Sequence, residues 1–391
     1  MDKKLAYFCF APHLKLMRTL GYYQMDSDAP AIQKSLHTVY RRFVFGLLTL
    51  YLTQELIKVY QVRHNSLLVM DTIFLCLTCS NTVIKVAVLM VVKVTFLPGS
   101  LFNQGLPSHN KLLRATSSHA YYFLRFYQGL GQSTVLAWAI YPVVLHLRGI
   151  HTPFTVWLPF NETVDPFYIA TVYCWVQVAW LAIGTATTDS FISFLFVQSK
   201  TQLAILRLDL EALVEKSKEI ASEKGIDFNT ALNLRFKALM AHYDKVDAIF
   251  FYLLCRSPFN SCGATPCILI LKEENTSLPT YYKFVHLQPS SFVDFMSSGM
   301  YLMCLLWENF LFCYYGNDLN VESTALLDST YMMDWTQLPL PQRKTLTIFM
   351  ERLKRPMLMW GGGIIPLTTE TFITILRSGY SFYAFLKNST V

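Results

Sequence analysis

From Phe43 onward, stretches of about 20 residues with hardly a charge recur along the chain, each long enough to cross a bilayer core as a helix. They fall at 42–60, 66–92, 127–147, 168–198, 247–271, 291–315 and 364–386. In lipid the backbone polar groups must be bonded within the segment, which at this length means helix. The chain is therefore expected to be an all-α membrane protein with seven transmembrane helices in one domain, residues 1–391. With 53% hydrophobic and 15% charged residues, no soluble domain of substance is left over. Between the fourth and fifth stretches, at 199–246, Leu203, Leu206, Leu210, Leu213 and Val214 recur at helical spacing beside charged positions. That segment predicts a long amphipathic helical region outside the lipid.

Orientation follows from Lys and Arg, which stay on the cytosolic side during insertion. With the N-terminus inside, the inner segments hold Lys3, Lys4, Lys15, Arg18, Lys34, Arg41, Arg42, Lys111, Arg114, Arg125, those from Lys200 to Lys245, and those from Arg343 to Arg355. The outer loops hold only Arg63, Arg148, Lys272, Lys283 and Lys387. The bias predicts a cytosolic N-terminus and an extracellular C-terminus, inverted relative to G-protein-coupled receptors. The glycosylation acceptors at Asn161, Asn275 and Asn388 all fall on segments so placed outside. The first residues lack the sustained apolar run and cleavage pattern of a signal peptide.

Several chemistries are excluded. There is no HExxH, GxSxG or phosphate-cradling glycine loop, and no usefully spaced pair of carboxylates, so no enzyme is expected. Cys76 and Cys79 share one span, and Cys174, Cys304 and Cys313 sit in others, so no metal site and no cofactor is implied. Cys262 and Cys267 could meet an oxidising compartment. The +7 charge is a matter of topology and lipid contact, not of nucleic acid. His242 and His286 are expected to be solvated or capping.

Ionisable residues inside spans are costly and so tend to face protein or water. Glu55 is spaced to pair with Lys58 on one helix face. Lys85, Asp189 and Glu308 lie toward the cytosolic ends, where two readings stand, pairing between helices or lining an aqueous vestibule. The outer halves differ: Phe74, Thr134, Trp138, Tyr141, Tyr173, Gln177, Phe295, Met296, Gly299 and Met300 would lie at similar depth. Aromatics, adaptable methionines and a few hydrogen-bonding groups suit a small apolar ligand, and they also suit ordinary helix packing.

The most specific residues close the chain, at 329–388. Tyr331, Trp335, Leu338-Pro339, Arg343-Lys344, Arg355-Pro356, a glycine turn, "PLTTETF" and "SGYSFYAFL" together resemble the C-terminal signature of insect odorant receptors. "YYGNDL" at 314–319 and Trp157, in an external loop bearing a sequon, fit as well. The resemblance implies a non-selective, ligand-gated cation channel in the plasma membrane of olfactory sensory neurons. It would be a tetramer assembled with the odorant co-receptor and opened by a small volatile ligand held among the outer halves of helices two, three, four and six. It also implies a cytosolic anchor domain, to which 199–246 contributes, and a pore lined by the seventh helix. Matched from Tyr380, the pore positions are Tyr383, Leu386 and Lys387, unlike the aliphatic gate of the co-receptor.

Insect gustatory receptors share the architecture but close on TYhhhhhQF, where h is apolar, which this chain lacks. A G-protein-coupled receptor would show a DRY-like triplet and NPxxY, and a transporter would show matching broken halves. The fifth span departs from the family, with Arg256, Pro258, Asn260, Gly263 and Pro266 inside it. Either protein shields a real break or 254–284 is a splice or gene-model product. In the closing helix, Pro356, Gly361 to Gly363 and Pro366 predict a hinge at which the helix begins. Thr371, Thr374, Ser378 and Ser381 predict a close-packing face.

Overall fold

The computed structural model describes residues 6, 9–25, 29–64, 66–91, 107–149, 156–158, 167–251, 292–361 and 365–389, excepting the side chains at 66–68, 70, 71, 74, 88, 91, 141, 249–251, 292–298 and 382–389. The helices are α1 Ala11–Thr19, α2 Ala31–Gln61, α3 Ser66–Val91, α4 Pro107–Leu147, α5 Phe167–Glu211, α6 Leu213–Lys224, α7 Phe228–Phe251, α8 Phe292–Met332, α9 Leu340–Leu353 and α10 Thr369–Ser389. A 3-10 turn covers Trp335–Gln337. Strands β1 (Trp360–Gly361) and β2 (Ile365–Pro366) form an antiparallel pair before α10.

Six of the seven expected spans fall on α2, α3, α4, α5, α8 and α10. The fifth begins on α7 and otherwise lies outside the described residues, as do Arg256, Pro258, Asn260, Cys262, Gly263, Pro266, Cys267 and His286. Among the described residues, α2, α4 and α5 are long and apolar enough to cross a membrane by length and composition.

The ends of the long helices differ from expectation. At 1.5 Å per residue, the 45 residues of α5 reach well past an apolar core of about 30 Å, and so do the 41 of α4 and of α8. The segment 199–246 is accordingly not a separate helix. Its first part continues α5 to Glu211, and Ala212 breaks into α6. Gly225, at φ 60°, then ends α6 in the left-handed conformation that glycine adopts without strain.

Helix α5 is the axis of the bundle, packed against α1, α3, α4, α6, α7 and α8. From Ala186 to Ser199 every residue is buried, so over this stretch the helix has no exposed face. Its small residues, including Gly184, Ala186, Ser190 and Ser193, let neighbouring backbones come close. At Gly184 a Cβ would collide with the ring of Tyr22, which follows α1 and is itself fully buried. Further along, Phe10 meets Phe191 edge-on at 5.4 Å, and His13 lies 5.6 Å from Phe194.

The closing signature acquires physical roles. Arg343 donates from Nε to the Leu338 carbonyl at 2.7 Å and from its terminal nitrogen to Thr336, fixing the 3-10 turn to the start of α9. Gly316 of "YYGNDL" lies under Leu367, where a Cβ would come within 2.8 Å of the Leu367 carbonyl oxygen. A side chain there would push β2, and with it the start of α10, away from α8. Pro366 lies in β2 and does not open the helix. Thr368 does, accepting a bond from the Thr371 amide at 3.2 Å, while the Thr371 hydroxyl donates to the Pro366 carbonyl at 2.7 Å. Thr371 thus braces the helix entry, and Thr374 and Ser381 are exposed on the single chain instead of packed within it.

Candidate ligand site

Three helices meet at a buried ion cluster. Lys85 of α3 donates to Asp189 Oδ1 of α5 at 2.5 Å and to Glu308 Oε1 of α8 at 2.7 Å, with the Lys85 and Asp189 side chains fully buried and Glu308 nearly so. Of the two sequence readings, pairing between helices is the one realised. One cation between two carboxylates ties α3, α5 and α8 at a single depth, and removing it would strand two buried charges.

The same seam continues along the helices. Seven residues from Lys85, Thr78 bonds to Tyr301 at 2.7 Å, and Tyr301 is seven residues from Glu308. The two rungs are therefore about 10 Å apart. Between them Thr82 bonds to Thr185 of α5 at 2.7 Å. At the Tyr301 rung, Trp138 of α4 stacks on the Tyr301 ring at 5.5 Å and 18°, and Thr134 lies 3.5 Å from the Cys304 sulfur. Trp138, Thr134, Tyr301, Cys304 and Thr78 thus form a mixed aromatic and hydroxyl cluster of α3, α4 and α8, above an ionic floor. Such a set offers flat apolar surface and a few hydrogen bonds.

The nominated residues divide around this cluster. Trp138 and Thr134 are in it, and Gly299 and Met300 lie half-buried beside Tyr301 on α8. Tyr173 joins a different group, donating to Gln54 at 2.7 Å and lying 6.4 Å from the Tyr51 ring. Gln177, one turn further along α5, is half-buried. The side chains of Phe74, Tyr141, Phe295 and Met296 lie outside the described residues. So do those of Tyr383, Leu386, Lys387 and Asn388 on α10, and Asn161 and Asn275 altogether. Tyr301, Cys304 and Thr78 were missed. The signal for Tyr301 was present, because it follows Met300 directly and lies two turns from Glu308.

Two expectations need correction. Glu55 does not bond with Lys58; it is fully buried and neither carboxyl oxygen has a hydrogen-bond partner among the described residues. His242 is not solvated but buried, 2.9 Å from Gln202, and burial pushes its imidazole down to about 4. Nearby, Asp209 is buried with Lys216 at 2.9 Å and His109 at 3.4 Å. Burial would raise its carboxyl, but the bonds from His109 and Lys216 prevail and hold it below the usual range. Among the described residues no group of His, Cys, Asp and Glu is placed to hold a metal ion.

A path of rings leads away from the cluster along α8. Trp307 stacks on Phe123 of α4 at 6.0 Å and lies 5.7 Å from Phe310, which meets Phe372 of α10 edge-on at 5.5 Å. Helix α8 therefore touches the Trp138 cluster with one part and α10 with another.

The described residues thus form a bundle of long apolar helices tied by a buried ion cluster, with an aromatic cluster between three of them. The sequence pattern described as 7tm Odorant receptor matches residues 54–229 and 251–380, and the chain belongs to that family. It is 22% identical over 253 residues to Odorant receptor 94a of Drosophila melanogaster, covering 63% of this chain and 60% of that receptor. It is 21% identical to Odorant receptor 22b of the same fly over 62% of this chain and 57% of that one. The matches thus span less than two thirds of these relatives. The structure of the insect olfactory receptor OR5 from Machilis hrabei in complex with eugenol superposes over the full length of both chains, with a TM-score of 0.77 at 14% identity. A likeness at that identity establishes the shared fold.

Proposed function

We propose that this chain is an odorant-tuning subunit. In this reading it binds a small volatile, largely apolar ligand between α3, α4 and α8. It opens a non-selective cation channel as part of a tetramer with the odorant co-receptor, in the plasma membrane of olfactory sensory neurons. The carrying observation is the Trp138–Tyr301 stack with Thr78 and Thr134 around it, which supplies aromatic faces and hydroxyls at one depth. Family membership supports the receptor class, and the eugenol bound by the Machilis hrabei receptor is a ligand of the size and polarity such a cluster suits.

The mechanism follows from which elements touch. A ligand shifts the closed-to-open balance only by the difference in its affinity for the two states. Wedged against Tyr301, it would favour a displaced α8, and the Phe310–Phe372 contact would carry that displacement to α10, the pore helix in this reading. Tyr383, Leu386 and Lys387 would then line the outer constriction. The residues from Lys200 to Lys245 and α9 would belong to the cytosolic anchor, with the C-terminus and the sequons at Asn161, Asn275 and Asn388 outside.

The reading is tested by expressing the chain with the co-receptor and recording currents across a volatile panel. Ligand-evoked cation current is expected, and a surface-expressed complex silent to the whole panel would refute it. Antibody access to terminal tags in intact cells checks orientation, with only the C-terminal tag expected to be reached.

A further inference from the structure

The first turns of α2 turn polar groups inward and apolar groups outward. His37 donates to the Tyr23 carbonyl at 2.9 Å, the Tyr40 hydroxyl to the Thr19 carbonyl at 2.7 Å, and Arg41 to the Met90 carbonyl of α3 at 3.3 Å. On the outer side Ile32, Leu36, Val39 and Phe43, at steps of four, three and four, are 83%, 71%, 61% and 63% exposed. A helix packed on protein and facing water shows the opposite arrangement. The outward stripe continues in the same register along the expected span, where Gly46, Leu50, Thr53 and Tyr60 are exposed. What covers the span therefore reaches the first turns as well.

Length places these turns in the membrane. At 1.5 Å per residue the 31 residues of α2 rise about 46 Å, well beyond an apolar core of about 30 Å and close to the roughly 40–45 Å of a bilayer with both headgroup layers. One end is marked by the exposed Tyr60, with the Arg63 guanidinium 4.2 Å over its ring, an aromatic and basic pair suited to a membrane surface. Counting back about 20 residues for the core leaves Ile32, Leu36 and Val39 in the headgroup layer of the other leaflet. The charge there is basic. Among the described residues from Cys9 to Tyr51 are Lys15, Arg18, Lys34, Arg41 and Arg42 and no carboxylate, Asp26 and Asp28 lying outside the described residues. Arg42 is exposed about 90° round the helix from the stripe, where its long side chain can reach a headgroup beside it. We propose that the first three turns of α2 are a docking surface for anionic phospholipid, with the stripe from Ile32 to Phe43 laid into the boundary of headgroups and acyl chains and Arg42 drawing the negative headgroup. That this leaflet is the cytosolic one rests on the proposed orientation; binding itself does not.

The test takes the full-length chain in micelles of an uncharged detergent and titrates in phosphatidylserine or phosphatidylcholine with the same acyl chains, following thermal unfolding. Phosphatidylserine is expected to raise the unfolding midpoint at a concentration about fivefold or more below that of phosphatidylcholine, the worth of one basic side chain at an anionic surface. Arg42→Gln should remove most of that preference and Arg42→Lys should keep it. Leu36→Ser combined with Val39→Ser, both at exposed positions, should weaken the effect of both lipids alike. Lys344→Gln, which removes an exposed charge from α9, should change nothing. Equal effects of the two lipids, a preference intact in Arg42→Gln, or a loss in Lys344→Gln as large as in Arg42→Gln would overturn the proposal. So would a smaller oligomer in the Leu36→Ser, Val39→Ser chain with its lipid response unchanged, which would assign the stripe to a neighbouring protein chain. Phosphatidylserine-selective stabilisation of a chain that never yields current would count against the channel reading alone, and lipid indifference in a conducting complex against this surface alone.

Discussion

Lys85 shows how far a single side chain can be understood from sequence. Its cost inside a span marked it as paired or wetted, and spacing could go no further, because Asp189 and Glu308 lie 104 and 223 residues away. Replacing Lys85 by Met leaves two buried carboxylates without their cation, and a loss of about 3–5 kcal/mol is expected, seen as reduced surface expression and a lower unfolding midpoint. Apolar replacement of all three residues should recover most of it. Outside the spans, His13 and His242 are buried, and burial pushes each imidazole down to about 4 from 6.5. Both are neutral in the folded chain, so their contribution is complete above pH 6.5. It declines as pH falls toward 4, because there the unfolded chain binds protons that the folded chain refuses. Unfolding in detergent should therefore weaken through that window, and the slope should flatten in His242→Gln. The sequence reading left His242 solvated or capping because it stands alone in a juxtamembrane segment; the fold turns it inward toward Gln202.

Helix α5 was legible as a span but not as the axis. Its Gly, Ala, Ser and Thr content signals close approach, yet only the assembled bundle says what approaches. Gly184→Ala would drive a methyl into the Tyr22 ring and should cost about 1–3 kcal/mol in unfolding measurements, with Tyr22→Ala in the same chain relieving the clash. Helix α8 joins the aromatic cluster to α10, and Phe310 makes the ring contact. Phe310→Ala is expected to cut the maximal ligand-evoked current severalfold at equal surface expression while leaving ligand-induced thermal stabilisation in place. Unchanged current would mean that α8 and α10 are coupled elsewhere. At the hinge, the glycines and Pro366 pointed to the joint within a few residues of the true helix start. The cap itself went to Thr368, because "PLTTETF" offers a threonine hydroxyl three residues before an amide that needs it.

The seven-helix plan was readable because lipid imposes one strong rule, an apolar run about 20 residues long for each crossing. The lengths of α4, α5 and α8 were not, since beyond the lipid nothing in the apolar pattern says whether a helix stops or continues, and packing against neighbours decides. The aromatic cluster was half legible. Trp138 and Thr134 were nominated from their depth, whereas Tyr301 and Cys304 escaped because a depth argument cannot say which face of α8 meets α4. The most direct test of the account joins that cluster to function. Currents from the chain expressed with the co-receptor are recorded against its best volatile agonist for wild type, Trp138→Ala and Tyr301→Phe at matched surface expression. The account predicts that half-maximal concentration rises about tenfold or more in Trp138→Ala, the worth of an aromatic contact together with its buried area, and less in Tyr301→Phe, which retains the ring. Identical concentration dependence in all three would contradict it.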